Sequence, residues 1–106
     1  MRSASLLLVT APLWATGCGA DDCETLCARL ASSLDGCLED WSATWQDLGA
    51  DGQRDWRQSC QEDWSVTRAD LEPREVQLAV EACSDTLSQL ADTTCDELRA
   101  LYLDAR

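Results

Sequence analysis

From residue 22 onward the apolar residues recur at helical spacing. Cys23, Cys27, Leu30, Leu34, Cys37 and Trp41 are separated by alternating steps of four and three, which draws one apolar stripe along a helix. Gly36 interrupts the stripe, and Gly is the usual stop residue of a helix, so a bend is expected there. Trp41, Trp45 and Leu48 carry a second helical segment to Gly49, and the polar run Gly49 to Gln53 turns the chain. Trp56, Cys60 and Trp64 then fall four apart. Pro73 suits a first helical turn and is followed by the amphipathic set Val76, Ala79, Val80, Cys83, Leu87 and Leu90. Thr94 with Glu97 fits a capping box opening a last helix through Leu98, Leu101 and Tyr102. No run of alternating β-branched residues marks a strand. The expectation is an all-α domain of four helices, or five if the chain breaks at Gly36.

The first twenty residues follow another pattern. Arg2 precedes the apolar run Leu6 to Ala15, and Ala15-Thr16-Gly17 is a string of small residues. A basic start, a short apolar segment and a small-residue cleavage site are the layout of a secretory signal peptide. The run is about half of the ~20 apolar residues a membrane span needs, and Pro12 lies inside it.

Ala15-Thr16-Gly17-Cys18 resembles the lipobox of bacterial lipoproteins. The resemblance implies a signal peptide over residues 1–17, acylation of Cys18, a tether over 18–22 and a cysteine-rich domain over 23–106. It implies attachment to the cell membrane or outer membrane, facing the periplasm or the surface. In that family an Asp after the acylated Cys retains the product in the inner membrane. Gly19 stands there instead, which leans towards the outer membrane. Cys18-Gly19-Ala20 also ends in small residues, so ordinary cleavage after Ala20, giving a secreted protein, is the competing reading.

Removing residues 1–17 leaves 89 of 106 residues, and because that segment carries Arg2 and no acid, the net charge goes from −12 to −13. So short a chain has a marginal core of its own and is expected to carry staples. Six cysteines remain for them: Cys23, Cys27, Cys37, Cys60, Cys83 and Cys95. An exported compartment permits three disulfides. With no Lys and no His, the acidic domain is repelled by nucleic acid and by anionic lipid heads. Cationic proteins or divalent ions are the partners that the charge permits.

Helix geometry narrows the pairing. Cys23 and Cys27 share a helical face with Cβ atoms ~5–6 Å apart, beyond the ~3.5–4.5 Å of a disulfide. Cys27 and Cys37 lie ten residues apart, ~15 Å along a continuous helix. Each early cysteine therefore pairs with one late cysteine, making the first helix a spine tied once to each later helix. If a helical hairpin turns near residue 50, Cys60 comes level with about residue 41. A nested order then gives Cys37–Cys60, Cys27–Cys83 and Cys23–Cys95.

Candidate chemistry is sparse. Asp47, Asp51 and Asp55 fall on positions 1, 5 and 9 of a calcium-loop frame with Gly52 at the turn, but Gln58 replaces the final bidentate Glu, and a solvated turn is the plainer reading. A cysteine zinc site wants closely spaced thiolates, and Cys23 and Cys27 are too far apart in sequence for the common pair. Without His, a phosphate-binding glycine loop or a nucleophile beside a base, no catalytic residue is nominated and no cofactor is expected. Trp41, Trp45, Trp56 and Trp64 are expected to gather around Cys60, as core or as a candidate binding patch. Six cysteines on an acidic helical body are loosely similar to the saposin-like fold, which would imply a lipid or ligand carrier. The body looks more like small cysteine-rich bacterial lipoproteins without an assigned activity. The expected role is therefore non-enzymatic, structural or interactive, with an acidic binding module or an inhibitor of a basic exported protein as the alternative.

Overall fold

In the computed structural model, which describes residues 20–105, four α-helices are joined by short connections. They are α1 (Asp22–Leu38), α2 (Gln53–Ala69), α3 (Pro73–Leu90) and α4 (Cys95–Tyr102), with one 3-10 turn, Trp45–Leu48, between the first two. The all-α expectation is met.

Helix α1 begins where its first turn is best served. Asp21 is the N-cap, its Oδ1 accepting the Glu24 N–H at 2.9 Å, and Asp22 and Glu24 place negative charge at the positive end of the helix dipole. The ordered helical region thus starts slightly before the expected boundary at residue 23. The predicted stripe is buried as read, with Ala31 and Leu38 added to it. Leu34 is fully enclosed.

The expected bend at Gly36 is not there. α1 runs through Gly36, which is exposed and has open space where a Cβ would sit. The stop comes later: Ser42 takes the left-handed conformation, φ 52°. Ala43 N–H then donates to Leu38 O at 3.0 Å and Ser42 N–H to Glu39 O at 3.1 Å. That pair of bonds is a Schellman closure, with serine in the place glycine usually takes. Past it, Trp45 to Leu48 form only a 3-10 turn, closed by Gly49 at φ 84°. The second helical arm expected up to Gly49 is absent, and this changes the level of everything downstream.

Without that arm, α2 begins beside the middle of α1 and runs antiparallel to it. Cys60 meets Cys27, Gln61 Nε2 donates to Glu24 O at 3.1 Å, and Trp64 Nε1 donates to Asp21 Oδ2 at 2.9 Å. α3 turns back and runs parallel to α1, with Cys83 bonded to Cys23 and Leu87 and Leu90 beside Ser32 and Ser33. Both helices lie against α1 far more than against each other. α4 closes the other end, where Leu98 joins Leu30, Leu34, Leu38, Trp41 and Leu48 in the core.

The disulfides are Cys23–Cys83, Cys27–Cys60 and Cys37–Cys95. The spine expectation holds, since each bond ties α1 to a different later helix. The three specific pairs expected, Cys37–Cys60, Cys27–Cys83 and Cys23–Cys95, are all incorrect. Two assumptions misled them. The helical hairpin near residue 50 does not exist, so Cys60 sits level with Cys27. The nested order also required the chain's end to return to the start of α1. Because α3 runs parallel to α1, the chain instead reaches Cys95 beside Cys37.

Two of the three staples and the core divide the molecule between them. The apolar cluster occupies the half containing the C-terminal end of α1, while α2 and α3 bury no residue fully. Towards the other end, Cys23–Cys83 and Cys27–Cys60 hold the three helices where apolar burial is thin.

Candidate functional site

Cys18, the lipid-attachment candidate, lies outside the described residues. The first well-placed features after it are at the start of α1. There Asp21 uses its two carboxylate oxygens for different helices: Oδ1 caps α1, and Oδ2 accepts from Trp64 Nε1 at 2.9 Å and Arg68 Nη1 at 3.1 Å on α2. The chain is thereby pinned to α2 where the helical domain begins. Nothing at positions 21, 64 and 68 announces this contact, which depends on the packing level of α2.

The tryptophans do not form one patch around Cys60. Trp41 is buried in the core, and its indole N–H has no protein partner. Trp45 and Trp56 are half-buried against that core with ring centroids 6.4 Å apart. Trp64 faces Asp21, two helical turns from Trp56 and nearer the start of α1. The four-residue candidate patch is thus corrected to a three-tryptophan group and a separate polar contact, because α2 carries Trp56 and Trp64 to different levels of α1. Tyr102 joins the first group, edge-on to Trp56 at 6.0 Å. Its place four residues after Leu98 on the α4 stripe was the available signal for it. Burial raises the Tyr102 phenol above its ordinary pKa of 10.0.

The calcium candidates separate as well. Asp47 accepts the Thr44 backbone N–H at 2.9 Å in a capping box, and Asp55 accepts the Asp51 backbone N–H at 3.0 Å. These carboxylates cap local turns instead of converging, and Gly52 is extended, not in the sharp turn of a calcium loop. Among the described residues, no three acidic, Cys or His side chains come together as a metal site. The six domain cysteines are in disulfides and offer no thiolate to zinc. Glu97 shows the same local use of acid: the Thr94 backbone N–H, then the Thr94 hydroxyl, hold its carboxyl below the ordinary carboxylate range.

Two concavities flank the aromatic group. One is an open groove of about 410 Å³ between the 3-10 turn and α2, lined by Leu48, Ala50, Trp56, Ser59 and Asp63. The other, about 140 Å³, is more apolar and lies among Leu30, Leu90, Leu98, Leu101 and Tyr102. Among the described residues no charged side chain is buried, so the acids are presented at the surface. No described helix is long and apolar enough to cross a membrane. Neither a family model, nor a curated protein, nor a solved structure matches this chain.

Proposed function

We propose that the chain is an exported, lipid-anchored protein of the cell envelope, attached through Cys18, with a non-enzymatic structural or interaction role. The supporting observation is the cysteine pairing. Six of the seven cysteines are consumed in disulfides within the helical domain, so Cys18 has no thiol partner left in its own chain. It follows the small residues Ala15-Thr16-Gly17, where a lipobox places the acylated cysteine. The Asp21 cap adds a second argument. Cleavage after Ala20 would put a positive α-amine on the N-cap of α1, against the helix dipole. Cleavage before Cys18 keeps the new terminus clear of the helix.

The intact mass of the protein from the membrane fraction tests this reading. It is expected to begin at Cys18, to carry acyl chains, and to lack six hydrogens for three disulfides. A chain beginning at Asp21 without lipid overturns the anchor and makes the protein a secreted one.

The acidic surface favours a second reading, that the domain is an acidic binding module or inhibitor of a basic exported protein. Residues 20–105 hold 20 acids against six arginines. A basic partner recovered from envelope extract in low salt and released in high salt would support it. The saposin-like carrier has less behind it. The more apolar of the two concavities, about 140 Å³, is below the ~300–1,000 Å³ of ligand pockets.

A further inference from the structure

Helices α2 and α3 extend past the start of α1. Trp64 is level with Asp21, and α2 continues five residues further to Ala69, an overhang of ~7–8 Å at 1.5 Å per residue. On α3, Cys23 Sγ lies against Ala79 O, so residues 73–78 project by ~9 Å. The hairpin tip is therefore a free end standing beyond α1, on the side from which the chain leads back to Cys18.

This tip differs from the rest of the surface in two ways. Val66 and Leu78 are 64% and 56% exposed, and they are two of the three large apolar side chains so exposed among the described residues. The third, Leu101, is on α4 at the opposite end. The tip is also nearly neutral. Residues 64–78 carry two arginines and three acids, whereas the other described residues carry four arginines and 17 acids. Strong acidity would repel an anionic membrane surface, and it is reduced here, as it also is over residues 52–61, where Arg54 and Arg57 outnumber Asp55.

From these observations we propose that the α2–α3 tip rests on the bilayer to which Cys18 is attached, giving the domain a second membrane contact. The inference rests on the lipid-anchor reading. Cys18 lies three residue steps before Asp21, a reach of at most ~11 Å, which matches the overhang of the tip. A lipid-bearing Cys18 and the tip thus reach one plane. Val66 and Leu78 meet the interface, and Arg74 lays its stem on it with its charge in water. The acidic remainder, including the aromatic groove, is held away from the membrane. The Asp21 contacts with Trp64 and Arg68 keep the tether and the tip together.

Hydrogen exchange on the lipidated full chain in phosphatidylcholine vesicles tests the proposal, with a non-acylated Cys18→Ser chain as the soluble reference. Amides of residues 66–78 are expected to exchange several-fold more slowly on vesicles, while residues 49–53 and 100–105 are unchanged. Val66→Asp with Leu78→Asp, both at exposed positions, is expected to abolish that protection without releasing the protein. Vesicle-bound protein with no added protection at the tip overturns the tip contact and leaves the anchor intact. Protection that grows with protein concentration in the absence of vesicles overturns it in favour of a second copy. Full-length protein without acyl chains that stays off vesicles overturns the anchor, and the tip contact with it.

Discussion

Trp64 donates its indole N–H to Asp21 across 43 positions of sequence, and the same carboxylate caps the helix that begins beside it. One side chain therefore decides both where α1 starts and where α2 lies against it. The half of the molecule that has little apolar core is held by this contact and by two disulfides.

Asp21→Ala is expected to cost about 2 kcal/mol, from loss of the cap and from leaving the Trp64 N–H unpaired. Asp21→Asn keeps one acceptor oxygen, for the Glu24 N–H of the cap, but sets an NH2 donor against the Trp64 and Arg68 donors and loses the charge, so it is expected to fall between. Urea unfolding of the oxidised protein measures both. Equal stability of Asp21→Ala and the parent would show that the contact is incidental.

The end of α1 makes an opposite pair of predictions. Gly36 sits inside a helix with open space at its Cβ position, so Gly36→Ala is expected to stabilise by ~0.5–1 kcal/mol. Ser42 bears the left-handed turn that glycine tolerates better, so Ser42→Gly is expected to stabilise by about 1 kcal/mol. Thermal unfolding of the two variants and their combination is the check. The sites are distinct enough for the effects to add approximately. A destabilised Gly36→Ala would restore the helix break to position 36.

These positions also show what could be read from the chain. The stripe from Cys23 to Cys37, Pro73 at a helix start and the Thr94–Glu97 box are local, and the structure bears them out. Local signals sufficed because helix faces and caps are set within one or two turns. Levels between helices are not local. A single misplaced stop, at Gly36 instead of Ser42, made a 3-10 turn look like a helical arm and shifted Cys60 from Cys27 to Cys37. The candidate aromatic patch failed with it, since Trp64 went to Asp21. The acidic surface was legible in composition, whereas the nearly neutral tip needed the overhang of α2 and α3 to become visible.

Digestion of the non-reduced protein with trypsin and a glutamate- and aspartate-specific protease separates all six domain cysteines. Cleavage after Glu24 divides Cys23 from Cys27, and cleavage at Asp85 or Asp92 divides Cys83 from Cys95. Three linked pairs are expected: Cys23–Cys83, Cys27–Cys60 and Cys37–Cys95. Recovery of Cys37 linked to Cys60 would return the nested order. The bonds span 60, 33 and 58 residues, so each is expected to contribute ~3–4.5 kcal/mol. Removing the third as Cys37→Ser with Cys95→Ser has a local signature besides. α4 has eight residues, too few to hold alone, so its amides and Leu98 are expected to lose protection before α1 does.

The dependence on pH should be set at its two ends by residues of one helix. The Glu97 carboxyl is held low by its bonds to Thr94, so its contribution is present above the ordinary carboxylate pKa and is lost as pH falls through the lowered folded value. Acidification is therefore expected to fray the start of α4, seen as an upfield change and faster exchange at the Thr94 amide, and Glu97→Gln should remove that step. Tyr102 acts at the other end. Burial raises its phenol above 10.0, so its contribution is complete below that value and is lost as pH rises through the raised folded one. Ionisation would place charge beside Trp56, 6.0 Å away, in a half-buried site. Tyr102→Phe is expected to leave stability at neutral pH little changed and to flatten its decline on the alkaline side. Phenolate absorbance read alongside unfolding provides the check: titration of Tyr102 at its ordinary value, with the fold intact, would place the ring in solvent.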